Sequence, residues 1–228
     1  MEFVLVIFDL NRNVIAAFVV SQVCWERGAN VCVTGAWDKK ACVWDARVSN
    51  DRAQHTMHVS ERVYCMDVSG PMMILGAADQ QMTLFDLRKP EVLLEIVCLK
   101  KFYQEILYSF DPPLSANPFE LQTSLKTFAS QLSKQLRCIA CHTDRRGFSY
   151  GTIEGRACIQ YLDSENQSSN FTFKCHRDAS AKHIFTVNVM KYHPMGSFMS
   201  GGADGTVSIW DHRSRQRLKV QSSSFSNN

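Results

Sequence analysis

Apolar and polar positions alternate in short bursts along this chain, and four of those bursts share one phrase. They are Gly35-Ala-Trp-Asp-Lys-Lys-Ala-Cys-Val-Trp-Asp45, Gly76-Ala-Ala-Asp-Gln-Gln-Met-Thr-Leu-Phe-Asp86, Gly151-Thr-Ile-Glu-Gly-Arg-Ala-Cys-Ile-Gln-Tyr161 and Gly201-Gly-Ala-Asp-Gly-Thr-Val-Ser-Ile-Trp-Asp211. Each starts with a small residue at a turn, places an acid three residues on, and runs into an alternating apolar segment. In three of the four, an aromatic residue and an aspartate close the segment. Alternation at a period of two predicts strands with one face inward, and two such strands about a tight turn predict a hairpin. The chain writes that hairpin four times.

Self-similarity at a spacing near forty residues predicts the blades of a β-propeller, each a four-stranded sheet stacked on its neighbours. The fold class is therefore all-β, a WD40-repeat β-propeller with about four recognisable blades. Such folds present surfaces more often than they do chemistry. Gly35 to Gly76 spans 41 residues, an ordinary blade, and Gly151 to Gly201 spans 50, a blade with one long loop. Gly76 to Gly151 spans 75, which leaves an irregular insertion at about 94–127. There Lys100 to Phe110 has helical spacing, and Asp111-Pro-Pro-Leu-Ser-Ala-Asn-Pro118 stops it. So long a loop is uncommon in a compact domain, and it reads as sequence foreign to the fold, such as a retained intron, rather than as a partner-binding arm.

Residues 1–220 are expected to form a partial propeller, with 221–228 a disordered tail. Ile7-Phe8-Asp9 reads as the worn closing phrase of a preceding blade. Four blades, with part of a fifth, do not comfortably close a WD ring, and open blades expose sheet faces and edges. The chain is expected to be partial or to complete itself with another chain, and the edge argument favours the first.

Composition fits a soluble globular domain. Hydrophobic residues make up 45% of 228, and no window is long and apolar enough for a membrane span. The start carries acids without a basic region, unlike a signal peptide. Nine cysteines scattered through strand phrases imply reduced thiols. A net charge of +3 is too small to imply nucleic-acid binding alone. Cys138-Ile-Ala-Cys-His142 spells a haem-attachment phrase or half a zinc site, but it sits in an apolar strand with no second ligand pair, so no cofactor or metal is expected. Asn166-Gln-Ser168 and Asn170-Phe-Thr172 are sequons that matter only in a secreted chain. No phosphate loop, nucleophile elbow or paired-carboxylate motif occurs, so neither enzyme activity nor a small-molecule substrate is expected.

Several phrases carry a resemblance: Ser60-Glu-Arg-Val-Tyr-Cys-Met-Asp-Val68, Gly151-Thr-Ile-Glu-Gly-Arg156, Asn170-Phe-Thr-Phe-Lys-Cys-His-Arg177, Val187-Asn188 with Tyr192-His-Pro194, then Trp210-Asp211 and Arg217-Leu-Lys219. In that order the chain resembles the WD-repeat messenger-RNA export factors of the Gle/Rae type at nuclear pores. A close relative, the Bub-type WD-repeat spindle-checkpoint protein, shares the Ile-Glu-Gly-Arg and Phe-Lys-Cys-His-Arg phrases. Val68-Ser-Gly70, Phe85-Asp-Leu-Arg88 and Tyr161-Leu-Asp163 lean toward that relative. The resemblance covers about 31–90 and 124–219.

The resemblance implies a non-enzymatic adaptor that binds a GLEBS motif, a short segment with paired glutamates. A GLFG-type nucleoporin supplies it in export, and a checkpoint kinase supplies it in the alternative role at kinetochores. Carried over residue by residue, Arg156 would meet a partner carboxylate, Phe173 and Lys174 would supply an apolar seat and a cation, and Trp210 and Arg215 would complete the groove. His212 stands where the export family more often has Lys, a contact then conditional on pH. The resemblance also implies contact with single-stranded RNA, whose basic surface the sequence does not place. Its location would be the nucleus, the nuclear envelope at the pore, and the cytoplasm. Propellers also serve as ubiquitin-ligase substrate receptors, and damage to the first blade at Gln22-Val-Cys-Trp25 keeps open a truncated product without function. Beside these stand simpler readings: Arg156 solvated at a turn, Trp37, Trp44 and Trp210 as packing residues, one of Phe171 and Phe173 in the core, Lys174 and Arg177 as edge charges, and His176 and His193 as structural hydrogen-bonding groups.

Overall fold

Four antiparallel meanders account for all the regular strand structure among the described residues, which are 19–48, 53–88, 126–163, 167–178 and 183–222 of a computed structural model. Blade 1 comprises β1 (Val20–Glu26), β2 (Val31–Ala36), β3 (Lys40–Asp45) and β4 (His55–His58). Blade 2 comprises β5 (Val63–Ser69), β6 (Met72–Ala77), β7 (Gln81–Asp86) and β8 (Lys126–Ala129). Blade 3 comprises β9 (Leu136–Cys141), β10 (Gly147–Thr152), β11 (Arg156–Tyr161) and β12 (Phe171–Lys174), with a single 3-10 turn at Gln167–Ser169 before β12. Blade 4 comprises β13 (Val187–Tyr192), β14 (Ser197–Gly202), β15 (Thr206–Asp211) and β16 (Gln216–Ser222). Each sheet pairs its strands in chain order, so every connection is a hairpin. No helix among the described residues is long and apolar enough to cross a membrane.

The repeated phrase is the second hairpin of each sheet. In blade 1 the register runs Val31↔Asp45 to Gly35↔Ala41, and in blade 4 it runs Ser197↔Asp211 to Gly201↔Val207. The acid after the turn caps it: Asp38, Asp79 and Asp204 each accept the backbone N–H two residues on. The closing aspartates act alike in two blades, where Asp45 holds Arg47 and Asp86 holds Arg88 through paired hydrogen bonds. Those Arg47 hydrogen bonds keep the Asp45 carboxyl down at about 2.

The chain divides into two compact units, residues 1–130 and 131–228. In the first, Val31, Val33, Ala41, Val43 and Met57 of blade 1 share a core with Val63, Met66, Met73, Leu75 and Phe85 of blade 2. In the second, Cys138, Ala140, Ala157 and Ile159 of blade 3 share one with Val187, Met190, Phe198 and Trp210 of blade 4. Each large side chain so buried contributes about 1.5–3 kcal/mol over leaving it exposed. Glycine lets the blades approach. A Cβ on Gly35 would lie 2.8 Å from Val63 Cγ1, and one on Gly151 would lie 2.7 Å from Val187 Cβ.

Two boundaries differ from the sequence reading. Lys126 and Thr127, the last residues of the expected insertion, belong to β8, because they continue the ladder on β7 through Thr83↔Thr127 and Leu84↔Lys126. Gln221 and Ser222, expected in the tail, complete β16 on Val207 and Thr206. The rest of the insertion, the closing phrase at Ile7-Phe8-Asp9 and residues 223–228 lie outside the described residues. Gln22-Val-Cys-Trp25 is an ordered part of β1, where Gln22 Oε1 accepts the Met66 N–H at 3.1 Å.

Candidate functional site

All six residues singled out for partner contact fall in the second unit, where a buried polar chain fixes the groove's floor. Trp210 Nε1 donates to Ser200 Oγ at 2.9 Å, and Ser200 Oγ lies 2.9 Å from His176 Nε2. His176 Nδ1 lies 3.0 Å from Asp204 Oδ1 and 3.2 Å from Thr206 Oγ1. One neutral tautomer satisfies the line: Nδ1–H donates to the carboxylate, and Nε2 accepts from the serine hydroxyl. Burial opposes charge on Asp204, but the Thr206 N–H and the side chains of His176 and Thr206 outweigh it and hold the carboxyl below its ordinary value. This chain ties the end of β12 in blade 3 to β14 and β15 in blade 4. Gly155, at φ 60, turns the backbone beside it, and a Cβ there would lie 2.5 Å from the His176 carbonyl. His176 is thus structural, as the sequence suggests. His193 is exposed and accepts the Met195 N–H at 3.2 Å.

Over that floor runs a ladder of rings and cations. Phe173 packs on Trp210 with ring centroids 4.7 Å apart and on Phe171 at 5.8 Å. Arg215 stacks on Phe171, its Cζ 4.8 Å from the ring centroid, and Arg217 lies 5.9 Å from the Trp210 centroid. A guanidinium over an aromatic face gains about 0.5–1 kcal/mol when exposed and keeps its N–H fork free for a carboxylate. Phe171 and Phe173 are both half-buried, so neither is purely core. Two residues apart on a strand, they share one face.

At the far end of β12 stands a second cationic pair. Lys174 is exposed, and Arg156 lies directly opposite it in the β11–β12 register. Like charges opposite one another destabilise a sheet unless an anion joins them. Lys174 and Phe171 are three residues apart, about 10 Å along the strand. A third free cation follows from a broken repeat. Asp211 bonds the Ser214 hydroxyl at 2.8 Å and the Arg213 backbone N–H, so the Arg213 side chain keeps no carboxylate partner among the described residues, unlike Arg47 and Arg88.

His212 is a correction. It is 6% exposed, its Nδ1 donates to the Gly196 carbonyl at 2.9 Å, and its ring lies 5.2 Å from that of His142. Two residues past Trp210, it continues that inward face, so it cannot offer a solvent-facing contact. It belongs to a buried cluster with His142, Tyr161 and Tyr192, in which Ser149 Oγ meets Tyr192 Oη at 2.5 Å and His142 Nε2 at 3.2 Å. Burial, with the charge of His212 adding to it, pushes His142 down to about 3. The unfolded chain therefore binds the proton that the native His142 refuses. Stability contributed by neutral His142 is full above about pH 6.5 and is lost as pH falls toward 3, about 2 kcal/mol of it between pH 7 and 5. Urea unfolding at the two pH values should show that loss, and His142→Gln should flatten it. The depressed carboxylates, Asp45 and Asp204, titrate only below this window.

The haem or half-zinc phrase is occupied by packing. Cys138 is buried and donates to the Val187 carbonyl at 3.4 Å, and Cys141 is buried as well. No cluster of three metal-ligating side chains occurs among the described residues. The Asn170 side chain accepts the Tyr161 N–H at 2.7 Å.

The hairpin repeat, the sheet order and the Trp–Ser–His–Asp line are matched in known proteins. Residues 14–45 and 167–211 match the WD domain, G-beta repeat. The chain belongs to the WD-repeat family. This WD-repeat chain is 36% identical over 196 residues to "mRNA export factor GLE2" of Chaetomium thermophilum, covering 84% of this chain and 46% of that protein. It is 35% identical to "Protein RAE1" of Arabidopsis thaliana, covering 74% of this chain and 39% of that protein. "Mitotic checkpoint protein bub3" of Dictyostelium discoideum is a weaker relative at 28%, over 87% of this chain and 53% of that protein. The Gle/Rae resemblance is thereby upheld. The chain spans about half the length of the curated relatives it matches.

The structure brings Phe173, Trp210 and Arg215 together, joins Arg156 to Lys174 at the other end of β12, and removes His212. Sequence reasoning missed Phe171, Arg213 and Arg217 as members of the surface. The two-residue spacing of Phe171 from Phe173 and of Arg217 from Arg215 was the available signal.

Proposed function

We propose that this WD-repeat chain is a non-enzymatic adaptor in messenger-RNA export, binding the GLEBS-type acidic segment of a GLFG nucleoporin along β12 and β16 of the second unit. The observation that carries this reading is the ladder Arg215–Phe171–Phe173–Trp210–Arg217, with Arg156 and Lys174 at its end. Rings seat apolar side chains of the segment, and guanidinium forks pair bidentately with its glutamates. The unrelieved Arg156–Lys174 pair favours an anion there. The relatives' names as export factors support the process, and residence at the nuclear pore follows from it. The same cations would suit single-stranded RNA, the other partner the resemblance implies.

The test is affinity purification of the tagged chain from interphase and mitotic cells. A GLFG nucleoporin recovered chiefly in interphase supports export. A kinetochore kinase recovered chiefly in mitosis replaces it with the checkpoint role, and recovery of chaperones alone contradicts both.

A further inference from the structure

One blade-to-blade contact is made twice in this chain, and the two halves of a third are left open. Positions correspond when counted from the turn glycines Gly35, Gly76, Gly151 and Gly201. Ala41 and Val43 of blade 1 then stand where Ala157 and Ile159 stand in blade 3, and all four are buried against the following blade. Met73 and Phe85 of blade 2 stand where Phe198 and Trp210 stand in blade 4, and all four are buried against the preceding blade. Each internal contact therefore joins a leading face to a trailing face of fixed composition.

Blade 4 has a second leading face with no such cover. Val207 and Ile209 occupy the positions of Ala41 and Val43, and Met199 the position of Val33, which is fully buried. Val207 is 42% exposed, Met199 45%, and Val189, which pairs with Gly201 on the same face, 55%. Gly35 and Gly151 are crowded by a valine of the next blade, whereas a Cβ on Gly201 would meet only Val189 of its own sheet. Blade 1 has the matching trailing face. Cys32 and Trp44 occupy the positions of Met73 and Phe85, and beside them Val23 and Trp25 are 43% and 49% exposed.

We infer that this chain self-associates, the β13–β16 face of one copy packing on the β1–β4 face of a second through Met199, Val207 and Ile209 against Val23, Trp25 and Trp44. The occupant is a second copy because the open surfaces are the two complementary halves of a contact the chain already forms twice. The contact is heterologous, so each copy offers one half and receives the other. Two copies also bring twice the four described sheets, within the roughly four to eight blades of closed propellers. Apolar sheet faces of this kind are otherwise association hazards.

Light scattering on the purified full chain at micromolar concentration tests it. The expected mass is at least twice that of a single chain. Met199→Asp and Trp25→Asp should each reduce it to the single-chain mass while leaving the far-ultraviolet circular dichroism unchanged. An equimolar mixture of the two variants should regain the two-chain mass, because the intact trailing face of one meets the intact leading face of the other. If Trp25→Asp fails to fold, Val23→Lys replaces it. A wild-type chain of single mass, an association that both variants leave intact, or a mixture that stays at single mass would each overturn the inference.

Discussion

Replacing His176 with alanine is expected to lower the stability of the second unit by about 3 kcal/mol, the cost of breaking a buried, charge-assisted hydrogen-bond line. The substitution removes the acceptor of the Ser200 hydroxyl and the donor to Asp204, leaving both groups in place beside a cavity. The ring is 1% exposed, so water does not substitute freely. Urea unfolding should show a lower midpoint at unchanged slope. His176→Asn, which retains a donor near Asp204, should lose less. A loss under about 0.5 kcal/mol in the alanine variant would show that the line is ornamental to stability. Blade 1 has only the first link of such a line, Trp44 Nε1 to Thr34 Oγ1 at 2.9 Å, so Trp44→Phe should cost the first unit no more than about 1 kcal/mol.

Reversing Arg215 to glutamate should weaken binding of an acidic GLEBS-type peptide by about 30- to 100-fold, or about 2–3 kcal/mol. The guanidinium is exposed, is steadied by stacking on Phe171, and touches protein only through a long contact of 3.5 Å to the Ser169 carbonyl. Little of its hydrogen-bonding capacity is committed internally. Reversal removes an attraction and adds a repulsion, while the positive φ of 58° at this turn is unaffected by the side-chain charge. Calorimetric titration should show the loss, and Arg137→Glu, an exposed reversal on β9 away from the ladder, should leave affinity unchanged. Equal losses in both variants would reduce the effect to net charge.

The fold was legible because the hairpin phrase carries its own instructions. Glycine at the turn, an acid that caps it, and alternating apolar residues each act within a few residues, and the structure pairs them as the phrase predicts. What the phrase could not tell was where a repeat departs from itself. Asp211 has the same Asp-x-Arg surroundings as Asp45 and Asp86, yet Ser214 captures its second oxygen and frees Arg213. His212 reads as a cation on a surface turn because polarity alone does not report burial. Its place is set by Gly196, His142 and Tyr192, all distant in sequence. Phe173 and Trp210 were found through the resemblance. Their contact across two blades depends on the His176 line, whose members span residues 176–210.

The most direct measurement is amide hydrogen exchange of the purified chain with and without a GLEBS peptide from a GLFG nucleoporin. Binding along the ladder predicts added protection in β12 and in residues 213–217, with the first unit unchanged. Protection confined to the first unit, or none at a peptide concentration that saturates binding, would contradict the placement of the site.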